Sequence, residues 1–106
     1  MSWVDKIVAV HTAVTDQVSH RERLKSDRYF VWQEDGTNDF VADGRHCARA
    51  ITGTTDLFTQ LEFDPWADAF EAALDSCEGL AWGLSSIQYE EDTGFIHYEW
   101  TWEVLR

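Results

Sequence analysis

The sequence predicts an α+β fold in which two helices pack on one face of a mainly antiparallel four-stranded sheet, in the order α-β-β-α-β-β. Three observations carry that reading. Two stretches repeat apolar residues at helical spacing behind a capping residue, the last strand alternates apolar and polar side chains, and Gly-containing turns separate aromatic and β-branched runs. The 106 residues are read as one domain, residues 1–106, because domains of about 100–150 residues are the commonest.

Ser2 caps the first helix, Asp5 completes a capping-box-like pattern, and Val4, Ile7, Val8, His11, Val14 and Val18 recur at helical spacing. A helix from about Trp3 to Val18 is expected, with His11 a packed or boundary residue. Ser19 to Arg28 (SHRERLKSDR) has no sustained apolar period and reads as a loop. Tyr29 to Glu34 (YFVWQE) is the first strand and runs into the turn signal Asp35-Gly36. Asp35 through Gly44 is too long for a tight hairpin turn and reads as a mobile loop of the sort that carries function. Arg45 to Gln60 is a long second strand, with Gly53 marking a bulge or bend. Asp64-Pro65 starts the second helix, because Asp caps the first amides and Pro sits where no intrahelical donor is needed. Its stripe is Trp66, Ala69, Phe70, Ala73, Leu74 and Cys77, and Gly79 ends it. Leu80 to Glu90 and Phe95 to Leu105 form a hairpin through Glu91-Asp92-Thr93-Gly94. In its second strand Ile96, Tyr98, Trp100, Trp102 and Val104 face one side, and His97, Glu99, Thr101 and Glu103 the other.

Twenty acids against eight Lys and Arg give a net charge of -12, but 44% apolar and 14% aromatic residues exceed what a disordered acidic chain carries. No apolar run approaches the roughly 20 residues that span a bilayer, and MSWVDKIVAV lacks a signal peptide's basic start, so a soluble, unexported protein with no membrane partner is expected. The charge is uneven. Residues 1–53 hold eight acids and seven bases, whereas residues 54–106 hold twelve acids and Arg106 alone. Such a surface repels phosphate and argues against binding DNA through counterion release, although an acidic protein can mimic DNA or meet a basic partner. Cys47 and Cys77 are too few for a disulfide scaffold and are read as small buried hydrophobes.

No nucleophile elbow, Cys-His pairing, GxGxxG or Walker-type run is present, so neither an enzyme nor a cofactor is expected. His97 and Glu99 share a strand face and, with His46, could surround a metal. Among twenty acids such coincidences arise by chance, and no metal site is expected. Glu90, Glu91 and Asp92 resemble an acid-base pair but sit at a hairpin tip, where solvent screens them. Trp100 and Trp102 read as core rather than as a stacking platform, which would need basic neighbours. What remains is a small protein that works by binding, with its last strand and long loop most available to partners.

Thr52 to Leu74 (TGTTDLFTQLEFDPWADAFEAAL) and Ser85 to Val104 (SSIQYEEDTGFIHYEWTWEV) resemble the small tail-terminator or tail-completion proteins of long-tailed bacteriophages. The matching residues are Asp56, Leu57, Phe58 and Thr59, then Tyr89, Glu90, Asp92, Thr93, Gly94, His97 and Trp100; Gln60 stands where the family has Lys. Tyr29 to Trp32 looks like the family's first strand, and the similarity covers about residues 28 to 105. The resemblance implies a virion structural protein at the head-proximal end of the tail, assembled in the host cytoplasm. Such proteins form a ring, usually of six subunits, that caps the tail tube, stops its polymerisation and joins it to the head. The implied partners are other copies of the chain, the major tail-tube protein and a head-completion or connector protein. Genomic DNA would pass through without specific binding, repelled by acids lining the channel.

On that reading the loop residues Asp35, Asn38, Asp39, Phe40 and Asp43, with Arg45 and Arg49, contact the neighbouring subunit or the tail tube, and Glu90, Glu91 and Asp92 reach a further partner. The alternative is an acidic DNA-mimic or anti-defence binding protein. A small enzyme using His97 and Glu99 is a weaker rival.

Overall fold

The structure, a computed structural model, describes residues 2–42 and 45–106, with the backbone alone for 40–42 and 45–48. Its elements are α1 (Trp3–Thr12), β1 (Val18–His20), β2 (Arg28–Thr37), β3 (Phe40–Ala42), β4 (Arg45–Ala48), β5 (Ala50–Thr59), α2 (Pro65–Ser76), β6 (Leu80–Glu90) and β7 (Phe95–Leu105).

The sheet is five-stranded and mixed, in the order β1-β2-β5-β7-β6, and it corrects the expected four antiparallel strands in α-β-β-α-β-β order. The additional strand comes from the end of the predicted first helix. α1 stops at Thr12, because in the Thr- and Asp-containing segment that follows side chains and carbonyls bond locally: the Thr15 hydroxyl accepts from the Gln17 amide at 3.1 Å, and the Asp16 carbonyl from the Val18 amide at 2.9 Å. Val14 and Val18 still pack against the core, so the apolar period survives although the helix does not. Val18 does so from β1, which runs parallel to β2 with Val18 opposite Phe30. A parallel pair needs a crossover, and residues 21–27 supply it, starting at Arg21 with a left-handed φ of 72°. The crossover lays Leu24 against Tyr29, Val31 and Phe58, and stacks the Arg23 guanidinium 4.5 Å from the Phe58 ring centre.

Asp35-Gly36 is a bulge rather than a turn. β2 continues to Thr37, its register shifting between Glu34 and Gly36 opposite Gly53 and Thr52. The Asn38 amide then donates to the Ala50 carbonyl at 3.1 Å, and β3 pairs with β4 beyond it as a separate two-stranded ribbon. The expected mobile loop is therefore mostly strand. It prolongs the β2–β5 ladder past the end of the sheet as an arm. Gly53, expected at a bulge, lies opposite one in the partner strand, and its lack of a side chain admits the Trp102 indole, which a Cβ would overlap.

Both helices cover one face of the sheet. Phe30, Leu57, Tyr98 and Trp100 pack with Val10 of α1 and Ala67, Phe70 and Leu74 of α2, while Trp32, Ile51, Trp102 and Val104 pack with Ile7. The alternation read in the last strand supplies most of this surface. Buried indoles need acceptors, and Trp100 Nε1 donates to Glu71 at 2.8 Å.

Two polar links tie the layers together. His11 is fully buried and joins α1 to the sheet. Trp102 Nε1 can only donate and the Ile7 carbonyl only accept, so every proton in the chain is assigned. Trp102 donates to Thr55 Oγ1 at 3.0 Å, the Thr55 hydroxyl donates to His11 Nε2 at 2.9 Å, and His11 Nδ1 donates to the Ile7 carbonyl at 2.7 Å. The second link is Asp64, the N-cap of α2, whose carboxylate accepts from the Trp66 amide at 2.9 Å, the Thr59 hydroxyl at 2.7 Å and both ends of the Arg28 guanidinium. Arg28 lies 3.7 Å from the Trp66 ring centre. Burial pushes the Asp64 pKa up, and these donors together outweigh it, holding the group below the usual carboxylate range. Replacing Asp64 by Ala removes the cap and strands a partly buried arginine, so urea denaturation at neutral pH is expected to show a loss of about 3 kcal/mol or more.

Candidate functional site

The residues expected to meet partners fall at two opposite ends of the strand axis. Register places them: β5 and β7 pair from Ala50 opposite Leu105 at one end to Thr59 opposite Ile96 at the other.

At the first end the arm leaves the sheet. Asp35 is exposed and accepts from Thr52 Oγ1 at 2.7 Å. Asn38 Nδ2 donates to Glu103 at 2.8 Å, tying the root of the arm to β7, and Asp39 follows it half-buried. Arg49 is exposed, and its carbonyl accepts from the Arg106 amide at 3.0 Å, so two bases stand together there. Asp43 and the side chains of Phe40, Arg45, His46 and Cys47 lie outside the described residues.

At the second end is the β6–β7 hairpin tip. Gly94, with φ 76°, donates its amide to the Glu90 carbonyl at 2.8 Å and closes the turn. Glu91 and Asp92 are exposed and Glu90 is half-buried. The helices do not reach this far along the sheet. On the helix side of the hairpin a groove of about 620 Å³ is left open, lined by Phe63, Ile87, Tyr89, Ile96 and Tyr98 with Gln60 and Glu62. Sequence reading missed this groove, since Ile87 and Tyr89 read as ordinary strand residues and Phe63 as part of a connection. The available signal was the length of the hairpin strands, 11 residues each, against helices of 10 and 12. Strands rise more than twice as far per residue, so such helices cannot cover them.

On the face away from the helices, His97 Nε2 sits 2.9 Å from Asp56 Oδ1, and its ring stacks on Phe58 at 4.4 Å. Glu99 pairs across from Asp56, bringing three ligand-type atoms within 4.8 Å of one another. A divalent cation accepts such a donor set. The hydrogen bond to Asp56 raises the His97 pKa and outweighs the partial burial that opposes it. The histidine that sequence reading joined to Glu99 and His46 is thus a hydrogen-bond partner of Asp56.

No family model and no curated protein matches the sequence. Among solved structures the chain is similar to a chain of the virion of the native gene transfer agent (GTA) particle. The TM-score is 0.52 at 12% identity, over 96% of this chain and 89% of that one. Among the described residues no helix is long and apolar enough to cross a membrane.

The two histidines act on stability in different pH windows. Burial lowers the His11 pKa to about 4, against the opposing bond to Ile7, so its contribution is complete above 6.5 and is lost as pH falls toward 4, by roughly 3 kcal/mol. His97 has a raised pKa, so its contribution is complete below 6.5 and fades as pH rises through that pKa. Urea titrations at stepped pH are expected to show a steep acid loss that flattens in a His11→Gln variant. In Asp56→Asn the alkaline fade disappears, and NMR titration shows the His97 pKa falling.

Proposed function

We propose that the chain is a structural protein of a virion and, more narrowly, a tail terminator that forms a ring on the end of a phage tail tube. The observation that carries the broader reading is the fold likeness to the gene transfer agent virion chain, which extends over nearly the whole of both chains. The narrower reading draws on the phrases Asp56–Thr59 and Tyr89–Trp100 and on the architecture. A terminator must hold its neighbours and the tube while leaving a channel open. An arm at one end and an acidic hairpin at the other provide separate contact surfaces on a small body.

Head-to-tail contacts between such surfaces close when the rotation per subunit permits, and the ring is then finite. The tail tube and a head connector are the remaining partners, meeting opposite sides of the ring. Acids turned toward the channel would keep passing DNA from adhering.

The test is capping. Purified chain added to polymerising tail-tube protein of the same phage is expected to stop elongation and to appear as a ring at one end of each tube in negative-stain images. Tubes of unchanged length with bare ends would refute the terminator role.

A further inference from the structure

The sheet face turned away from the helices carries a cluster that the chain's own contacts leave unfinished. Register puts Asp56 of β5 directly opposite Glu99 of β7, and Phe58 opposite His97 at the next position along the same face. His97 Nε2 lies 2.9 Å from Asp56 Oδ1, and one ligand atom from each of the three residues falls within 4.8 Å of the other two. Like charges directly opposite one another on a sheet are destabilising, and here both carboxylates are half-buried. Asp56 has His97 as a partner, but among the described residues no hydrogen bond reaches Glu99.

We propose that Asp56, His97 and Glu99 bind a divalent transition-metal ion of the zinc type, with water completing its coordination. The site stands apart from the tail-terminator reading and needs no second chain. Zinc takes imidazole nitrogen and carboxylate oxygen at about 2.0–2.2 Å, so two ligands of one ion stand roughly 3–4 Å apart. The three atoms already lie near that spacing, and rotation of a carboxylate closes the remainder. The imidazole makes the cluster more than an acidic patch and selects the ion, since magnesium and calcium take oxygen ligands. The two carboxylates balance the ion's double charge, and an ion between them turns an unfavourable cross-strand pair into a bridge.

The scaffold holds these ligands in place before any ion arrives. Neither strand is at an edge: β5 lies between β2 and β7, and β7 between β5 and β6. The His97 ring stacks on Phe58 with 17° between their planes, and Phe58 belongs to a buried apolar cluster with Tyr29 and Val31. That apolar flank limits water and lowers the local dielectric, which strengthens the pull of the carboxylates on a cation. The charges acting on His97 are those of Asp56, Glu90 and Glu99, all negative. Arg23 lies over the Phe58 ring and bonds to none of the three ligands. The His97 and Asp56 side chains remain 20% and 24% exposed, which leaves an entry path and positions for water.

Calorimetric titration of the full chain with zinc chloride, and separately with magnesium chloride, tests the site. One saturable site per chain is expected for zinc, and Glu99→Gln and His97→Gln should each weaken it at least tenfold. Excess zinc should raise the melting temperature by several degrees, because the ion binds only the folded chain. Glu99 has no hydrogen bond to lose, so the Glu99→Gln variant without metal should melt no lower than the wild type and should lose only the zinc-induced rise. His20→Gln removes a different histidine-carboxylate pair, that with Glu34, and should leave zinc binding intact. NMR spectra should show the His97 ring resonances moving on zinc addition. No saturable zinc site overturns the proposal, as does zinc affinity indifferent to both Glu99→Gln and His97→Gln. Magnesium binding as tightly as zinc also overturns it, since that marks diffuse attraction to acids.

Discussion

A neutral imidazole at the centre of the molecule is the constraint on which the other contacts depend. His11 stands where α1, β5 and β7 meet, with its ring 4.8 Å from Phe70 and 5.7 Å from Phe30. The three bonds from Trp102 through Thr55 to His11 and on to Ile7 use every donor of the network. An added proton would give Thr55 two donors facing one oxygen and its own hydroxyl nowhere to go. The network also orients Trp102, which presses on the backbone at Gly53, and so a glycine on β5 and a histidine on α1 answer to the same indole. Satisfied networks of this kind give a small core one arrangement rather than several.

Much of this fold was legible in the sequence, and the failures have a common physical origin. Asp64-Pro65 announced α2, and the alternation Ile96 to Val104 announced the face on which both helices lie, because each is a local signal that tertiary contacts reinforced. Val14 and Val18 misled because an apolar period reports which residues go to the core and not by which backbone they travel. Four residues of helix and a short turn into a strand can deliver the same side chain. Asp35-Gly36 misled in a related way. A turn signal measures local freedom, and the ladder from Thr37 to Asn38 and Ala50 used that freedom for a bulge instead. The arm residues were singled out from the sequence, but the groove was not, since coverage of a sheet depends on comparing the lengths of elements distant in sequence.

The acidic half of the chain changes meaning once its side chains are placed. Asp64 holds Arg28, Asp56 holds His97, Glu71 and Asp75 accept from the indoles of Trp100 and Trp82, and Glu103 accepts from Asn38. A core built from tryptophans brings donors that have no acceptor function of their own, and carboxylates at the helix-sheet boundary receive them without being fully buried. Part of the charge imbalance is therefore a consequence of the aromatic core rather than a signal to a partner.

Removing those acids from the count sharpens the remainder. Glu62, Glu90, Glu91 and Asp92 gather at the end of the sheet where Phe63, Ile87 and Tyr89 stay in water. Charge and exposed apolar area normally offset one another on a surface, since charged neighbours keep an apolar patch from attracting arbitrary partners. An acidic rim around an apolar floor admits a partner that brings both apolar side chains and bases, and rejects the many that bring only the first. A sheet longer than its helices thereby explains why this surface exists, since the uncovered length of the hairpin leaves its apolar side chains beside the acids of its tip.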